Sequence, residues 1–432
     1  MELNKEFATL ILPNREPHKI PIITDRMGDK SIDIHSLRKE TGYITYDPGF
    51  VNTGSCMSSI CYVNGEQGIL RYRGYDIEDL VEKCDFVEVA YLLIKGELPN
   101  ATERLRYSDL LNKESLLHVD MQSTFNSYPF KAHPMSILAA MSVSLSSFYP
   151  EMDEIDPELQ LDFAVTRLIS KIRTIIAFIY RHLNGLDFVD PSYKYSYCEN
   201  FLNMMFRTPV SEYMINPLHV KALNQLLILH ADHEQNCSTT AVRLTGSSGA
   251  NLYASVSAGI CALWGPKHGG ANQAVIEMIT DAFDKGESPK SLIARAKEKN
   301  SNFRLSGFGH RVYKTYDPRS KIAKKLYQEI LEEAEISDPL LDFAIELEEL
   351  AVKDDYFNER NLYPNVDFYT GLIFRHIGIP LNMFTAMFSM GRLPGWIAHW
   401  LEWEKDPYGK IGRPRQVYSG NISREVPPIS ER

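Results

Sequence analysis

The hydrophobic rhythm of the chain changes once. Up to about residue 75, short alternating or β-branched runs (Phe7–Leu12, Lys19–Thr24, Ser31–Ile34 and Tyr43–Tyr46) are separated by Pro, Gly and Asp, which predicts short strands. Asn64-Gly65, flanked by Ser59-Ile-Cys-Tyr-Val and Gly68-Ile-Leu-Arg-Tyr-Arg, predicts a hairpin. From Ile77 onward the spacing becomes helical. Ile322, Leu326 and Ile330 recur every four residues, and Leu340, Ala344, Leu347 and Ala351 share one face behind Asp338-Pro339, a suitable cap and first-turn pair. No strand–helix alternation supports a doubly wound sheet, so the predicted class is mainly all-α with a small β-rich N-terminal segment. There is no internal repeat. The stretch Asp406–Arg432, rich in Pro, Gly and Arg, is expected to be an irregular tail crossing a surface.

Composition narrows the function. A chain of 432 residues, 44% hydrophobic and 24% charged, can build a large core in two or three domains. Its net charge of -10 argues against bulk contact with nucleic acid, which needs a basic face. An anionic small substrate would need cations gathered at one place. The cysteines Cys56, Cys61, Cys84, Cys198, Cys237 and Cys261 contain no Cys-x-x-Cys pair and read as reduced thiols of a cytoplasmic protein. The N-terminal apolar run Ala8–Leu12 is too short for a secretion signal. Leu252–Leu263 is about half of the roughly 20 residues needed to cross a bilayer, so no membrane association is expected.

Four segments place chemically useful residues in apolar or glycine-rich surroundings. In HADHEQN (residues 230–236), a helical reading puts His230 and His233 on one face, but the spacing matches no strong metal motif. Helix-end polar packing is the plain alternative. In GPKHGGAN (265–272), His268 falls in a turn near a helix N-terminus, which would keep it neutral and able to donate to a developing oxyanion. Gly269 and Gly270 would let a ligand approach, or simply make the turn. In FGHRVYKTYDPRS (308–320), His310 is followed by Arg311, Lys314 and Arg319, suited to an anionic ligand or to a solvated loop. In LYPNVDFYTGLIF (362–374), Asp367 lies between Val366 and Phe368. Burial would raise its pKa toward that of a general base, and capping of the next helix is the alternative.

These segments, in this order, resemble the active-site signature of citrate synthases. The likeness runs from GILRYRGYDIEDL (68–80) through NFLNMMF (200–206), TGSSGAN and PNVDFYTG to GRLPGWIAHWLE (391–402) and RPRQVYSG (413–420). The β-rich start resembles the bacterial subgroup that forms hexamers built from dimers. The resemblance implies a two-domain fold: a β-rich segment at 1–75, a large helical domain at 76–269 and 383–432, and a small helical domain at 270–382. It implies that acetyl-CoA and oxaloacetate are the substrates and that no metal or other cofactor is needed. Asp367 would take a proton from the acetyl methyl group, His268 would stabilise the enol, and His310 would activate the ketone. His233, Arg319, Arg392 and Arg413 would hold oxaloacetate, Arg413 from the other chain of a homodimer, and Lys314 would meet coenzyme A phosphates. In many bacterial relatives of the hexameric type NADH inhibits at a distant site through a basic-His-Thr cluster and a Cys. The matching places here are Lys113-Glu114-Ser115 and Val210, which implies weak or absent inhibition. The rival readings are a 2-methylcitrate synthase using propionyl-CoA and a catalytically silent helical binding protein.

Overall fold

The computed structural model describes residues 6–150, 156–299, 302–333 and 338–432. Helices dominate these residues, and the strands form two three-stranded antiparallel sheets. One sheet joins Phe7–Leu10, His18–Thr24 and Lys30–Ile32. The expected strand at Tyr43–Tyr46 does not form. Gly42 turns left-handed before it, and Tyr43, Ile44 and Tyr46 stay exposed, so no packing holds a strand there. The second sheet is the predicted hairpin, Cys61–Asn64 against Ile69–Tyr72, extended by Tyr75–Asp76. Its turn spans residues 65–68, because Asn64 pairs with Ile69.

The chain divides into two compact units, residues up to Met57 with Gly412–Arg432, and Ser58–Ile411. The second holds the helical core. At its centre runs Pro157–Leu183, started by Asp156, whose carboxylate accepts the Glu158 and Leu159 amides, with Pro157 in the first turn. Ile172, Ile175, Ile176 and Ile179 are all buried, each worth about 1.5–3 kcal/mol of apolar burial. The helices Cys237–Gly246, Leu252–Trp264 and Phe384–Glu404 pack together beside it. Phe384–Glu404 stays helical through Pro394, which can donate no backbone bond; burial of the whole run 384–400 overrides the local preference. The predicted helices appear as Pro318–Glu333 and as Pro339–Lys353, the latter with Asp338 accepting the Leu340 amide at 3.0 Å. Val366–Ile377 packs against both Pro318–Glu333 and Ala271–Asp284. The tail from Asp406 is exposed and has no regular element beyond the short 3-10 turn Ile429–Glu431. Among the described residues no helix is long and apolar enough to cross a membrane.

Candidate active site

Three chain breaks converge in the second unit. The first is the end of Pro217–His230. The helix stops at His230 and Glu234 takes a left-handed φ of 50°, so His230 and His233 do not share a helical face as the spacing suggested. His230 is buried and donates Nδ1–H to the Leu226 carbonyl at 2.7 Å. Its own carbonyl accepts Nε–H of Arg392 at 2.6 Å. Burial drives its pKa down to about 3, so it remains neutral. Glu234 reaches out of the turn to accept the Val63 amide at 2.8 Å, fixing the turn on the hairpin. His233, its pKa lowered by burial and then by Arg319, lies 3.2 Å from the Tyr313 hydroxyl and edge-on to His310, ring centres 5.5 Å apart.

The second break is the turn before Ala271–Asp284. His268 Nε2 accepts the Ser238 amide at 3.3 Å and sits 2.8 Å from the Ser238 hydroxyl, which also accepts Trp396 Nε1–H at 3.1 Å. An N–H can only donate, so the proton of neutral His268 is on Nδ1. Its pKa falls to about 4 through burial, with Arg392 and Arg311 adding to it. Packing requires Gly269, since a Cβ there would lie 2.3 Å from the Leu263 carbonyl oxygen.

The third break is the loop 307–317, held against the segment before Val366–Ile377. Gly309 N–H donates to the Tyr363 carbonyl, and Asn365 donates its backbone and side-chain amides to Gly307 and Gly309. This brings His310 and Asp367 to one place. His310 Nδ1 accepts the Val312 and Tyr313 amides at 3.0 and 3.2 Å, which puts its proton on Nε2. Burial and Arg319 lower its pKa to about 4. Nε2 faces Arg319 Nη2 at 3.4 Å, so two donors converge. Arg319 is buried in a bidentate pair with Asp317, both contacts 3.0 Å. Burial opposes its charge most, but Asp317, Tyr313 and Tyr72 together raise the pKa.

Asp367 does not cap its helix; Asn365 does, accepting the Asp367 amide at 3.0 Å. The Asp367 carboxyl is crowded by protein, and this burial lifts its pKa to about 6 although Arg319 and Arg392 pull it down. Arg392 is buried with its guanidinium 5.0 Å from the Phe388 ring centre. Among the described residues no carboxylate lies within ion-pair distance of it. Lys314 stands apart from this group, exposed and paired with Glu66. Arg413 lies in the other unit, in exposed irregular chain. Sequence reasoning missed Ser238, Trp396 and Tyr313, which nothing local marks. It also missed Asp317, which the Asp-Pro helix start could have signalled. No cluster of metal-ligating side chains occurs among the described residues.

The family described as "Citrate synthase, C-terminal domain" matches residues 49–415. The chain belongs to the citrate synthase family. It is 50% identical over 428 residues to the citrate synthase of Corynebacterium glutamicum, covering 98% of this chain and 97% of that one. It is 47% identical to citrate synthase 1 of Mycobacterium tuberculosis, covering 98% of each. The solved citrate synthase of Pyrobaculum aerophilum superposes with a TM-score of 0.78 at 33% identity, covering 95% of this chain and 97% of that one. That of Thermoplasma acidophilum, a ternary complex with carboxymethyl coenzyme A and oxaloacetate, gives 0.78 at 30% identity over 88% and 98%. The mainly α fold agrees with these neighbours, and the protein is an acyltransferase.

Proposed function

We propose that the enzyme condenses acetyl-CoA with oxaloacetate and water to give citrate and coenzyme A. The observation that carries this reading is the pair of converging donors, His310 Nε2–H and Arg319, beside the raised carboxyl of Asp367. A ketone flanked by carboxylates suits the donors, and a weakly acidic methyl group suits the base. Asp367 takes the methyl proton while His268 Nδ1–H hydrogen-bonds the thioester oxygen where enol charge develops. The new carbon nucleophile attacks the ketone carbon, and His310 Nε2–H protonates the oxygen as it becomes an alkoxide. Water then cleaves the citryl thioester. His233, Arg319, Arg392 and Arg413 hold the oxaloacetate carboxylates, for which a guanidinium fork is the suitable partner. Lys314 meets coenzyme A phosphates once Glu66 releases it. The catalytic unit is a homodimer, assembled into a hexamer. The domains are 76–269 with 383–432 and 270–382, with His233, His268 and Arg392 on the first and His310, Arg319 and Asp367 on the second. Their closure would complete the site and exclude water.

The test is coenzyme A release with oxaloacetate, run with acetyl-CoA and propionyl-CoA in parallel. Because one methylene discriminates by only about 1–3 kcal/mol, some propionyl-CoA turnover is compatible with the reading. A higher kcat/KM for propionyl-CoA would make 2-methylcitrate the product, and no release with either would leave a silent binding protein. Exhaustive chelation is expected to leave the rate unchanged; activity lost on chelation and restored by a metal would contradict this.

The base sets the acid limb of the pH profile. Asp367 must be ionised, so kcat/KM for acetyl-CoA is expected to fall about tenfold per unit below roughly pH 6. His268 and His310 stay neutral down to about pH 4 and do not contribute to that limb. Full activity at pH 5 would remove Asp367 from the role.

NADH inhibition is expected to be weak or absent. Glu114 already lies 3.2 Å from Arg167 and 3.8 Å from Lys171. Lys171 is buried, donates to the Glu114 and Leu116 carbonyls, and has its pKa lowered to about 8 by that burial. A carboxylate at this place repels a dinucleotide's phosphates and occupies the cations that would bind them. Strong inhibition by sub-millimolar NADH, non-competitive with acetyl-CoA, would refute this.

A further inference from the structure

We infer that Asp232 and His399 are positioning residues for the oxaloacetate end of the site, an inference that rests on the reading above. His399 Nε2 lies 3.2 Å from Asp232 Oδ2, and both side chains are almost wholly inaccessible, at 1% and 0% exposure. The Gln235 amide nitrogen lies 3.2 Å from His399 Nδ1 and donates to it, and His399 Nε2–H points at the carboxylate.

Its place in the fold ties it to the site. Arg392 and His399 are seven residues apart in Phe384–Glu404, two turns, and share a helical face. Arg392 grips the first residue of the 230–235 segment through the His230 carbonyl, and His399 grips the third and sixth through Asp232 and Gln235. His233 lies between these anchors. Gly395, on the same face, lets the segment lie directly on the helix. A Cβ there would come 2.3 Å from the Ala231 carbonyl and 2.4 Å from Asp232 Oδ1.

Packing alone does not call for a buried carboxylate, which costs several kcal/mol to desolvate. Burial does push the Asp232 pKa up, but His399, Arg392 and the Cys61 thiol together bring it below the ordinary value, so the group stays an anion. The two buried arginines differ in how their charge is met. Asp317 occupies Arg319 directly, with two bonds. Asp232 attracts Arg392 without contacting it, which offsets part of the cost of burying the guanidinium while leaving its outer N–H groups for a ligand. His399 holds the carboxylate back in that stance.

The test compares wild type with His399→Leu, which fills the space without a donor, and His399→Gln, which restores one. Oxaloacetate affinity is measured by calorimetry without the second substrate, and both KM values by coenzyme A release. His399→Leu is expected to weaken oxaloacetate binding about tenfold or more, to leave KM for acetyl-CoA within about twofold, and to be largely rescued in His399→Gln. Should His399→Leu fail to fold, Gln235→Met, which removes only the donor to Nδ1, is expected to weaken oxaloacetate binding about threefold. A folded variant that binds oxaloacetate like wild type, or that loses both substrates equally, overturns the inference alone. Wild type that binds no oxaloacetate overturns the functional reading, and this inference with it.

Discussion

Asp367→Asn is expected to lower turnover by roughly 10²–10⁴-fold while leaving oxaloacetate affinity nearly unchanged. Asparagine keeps the shape of the side chain and its place in the first turn of Val366–Ile377 but cannot take a proton at neutral pH. The groups proposed for oxaloacetate, His233, Arg319, Arg392 and Arg413, are left intact, so its binding should survive. The same change should make the protein more heat-stable. Folding raises the Asp367 pKa from 3.8 to about 6, so the folded state holds the proton more tightly. The resulting destabilisation is absent below about pH 4, grows between 4 and 6, and is complete above 6. At pH 7 it is on the order of 1–3 kcal/mol, which Asn removes. Single-turnover rates, oxaloacetate calorimetry and thermal melts at pH 7 check the three parts. Turnover retained within tenfold would take Asp367 out of the reaction, and a lower melting temperature would show that the carboxyl is not strained by burial.

What the sequence could and could not disclose follows from the range of the forces involved. Asp338-Pro339 and the four-residue spacing of Ile322, Leu326 and Ile330 are local signals, and the helices form where they stand. Tyr43–Tyr46 carries the same local signal for a strand and forms none, because a strand needs a partner edge that local pattern cannot supply. His230 and His233 were legible as important residues but not as a pair with opposite duties. The helix ends at His230, and the irregular chain after it, held by the Glu234 carboxylate on a distant hairpin amide, separates the buried scaffold imidazole from His233. The neutrality of His268 was legible in direction but not in cause. The sequence offered a helix terminus, whereas burial, Arg392 and Arg311 lower its pKa, and Ser238 sets its tautomer. Tautomers depend on which amides the fold brings to a ring, so they lay beyond any reading of spacing.

Arg413 is expected to act across a subunit boundary, so that two inactive variants restore each other. Arg413 lies in exposed, irregular chain, and among the described residues no carboxylate pairs with it, an arrangement suited to reaching a neighbour. The resemblance to citrate synthases assigns it the one oxaloacetate arginine supplied by the other chain. Arg413→Leu removes that arginine and Asp367→Asn removes the base, and each homodimer should be nearly dead. If the two are dissociated, mixed and reassembled, one site of each mixed dimer combines the intact Asp367 of one chain with the intact Arg413 of the other. The second site carries both lesions. With random exchange half the dimers are mixed and half of their sites work, so activity should recover to about a quarter of wild type. If Arg413 instead serves its own chain, every site keeps one lesion and mixing restores nothing. Native mass spectrometry of the reassembled sample decides between failed exchange and a failed idea, because mixed dimers without recovered activity would place Arg413 in its own subunit's site or in none.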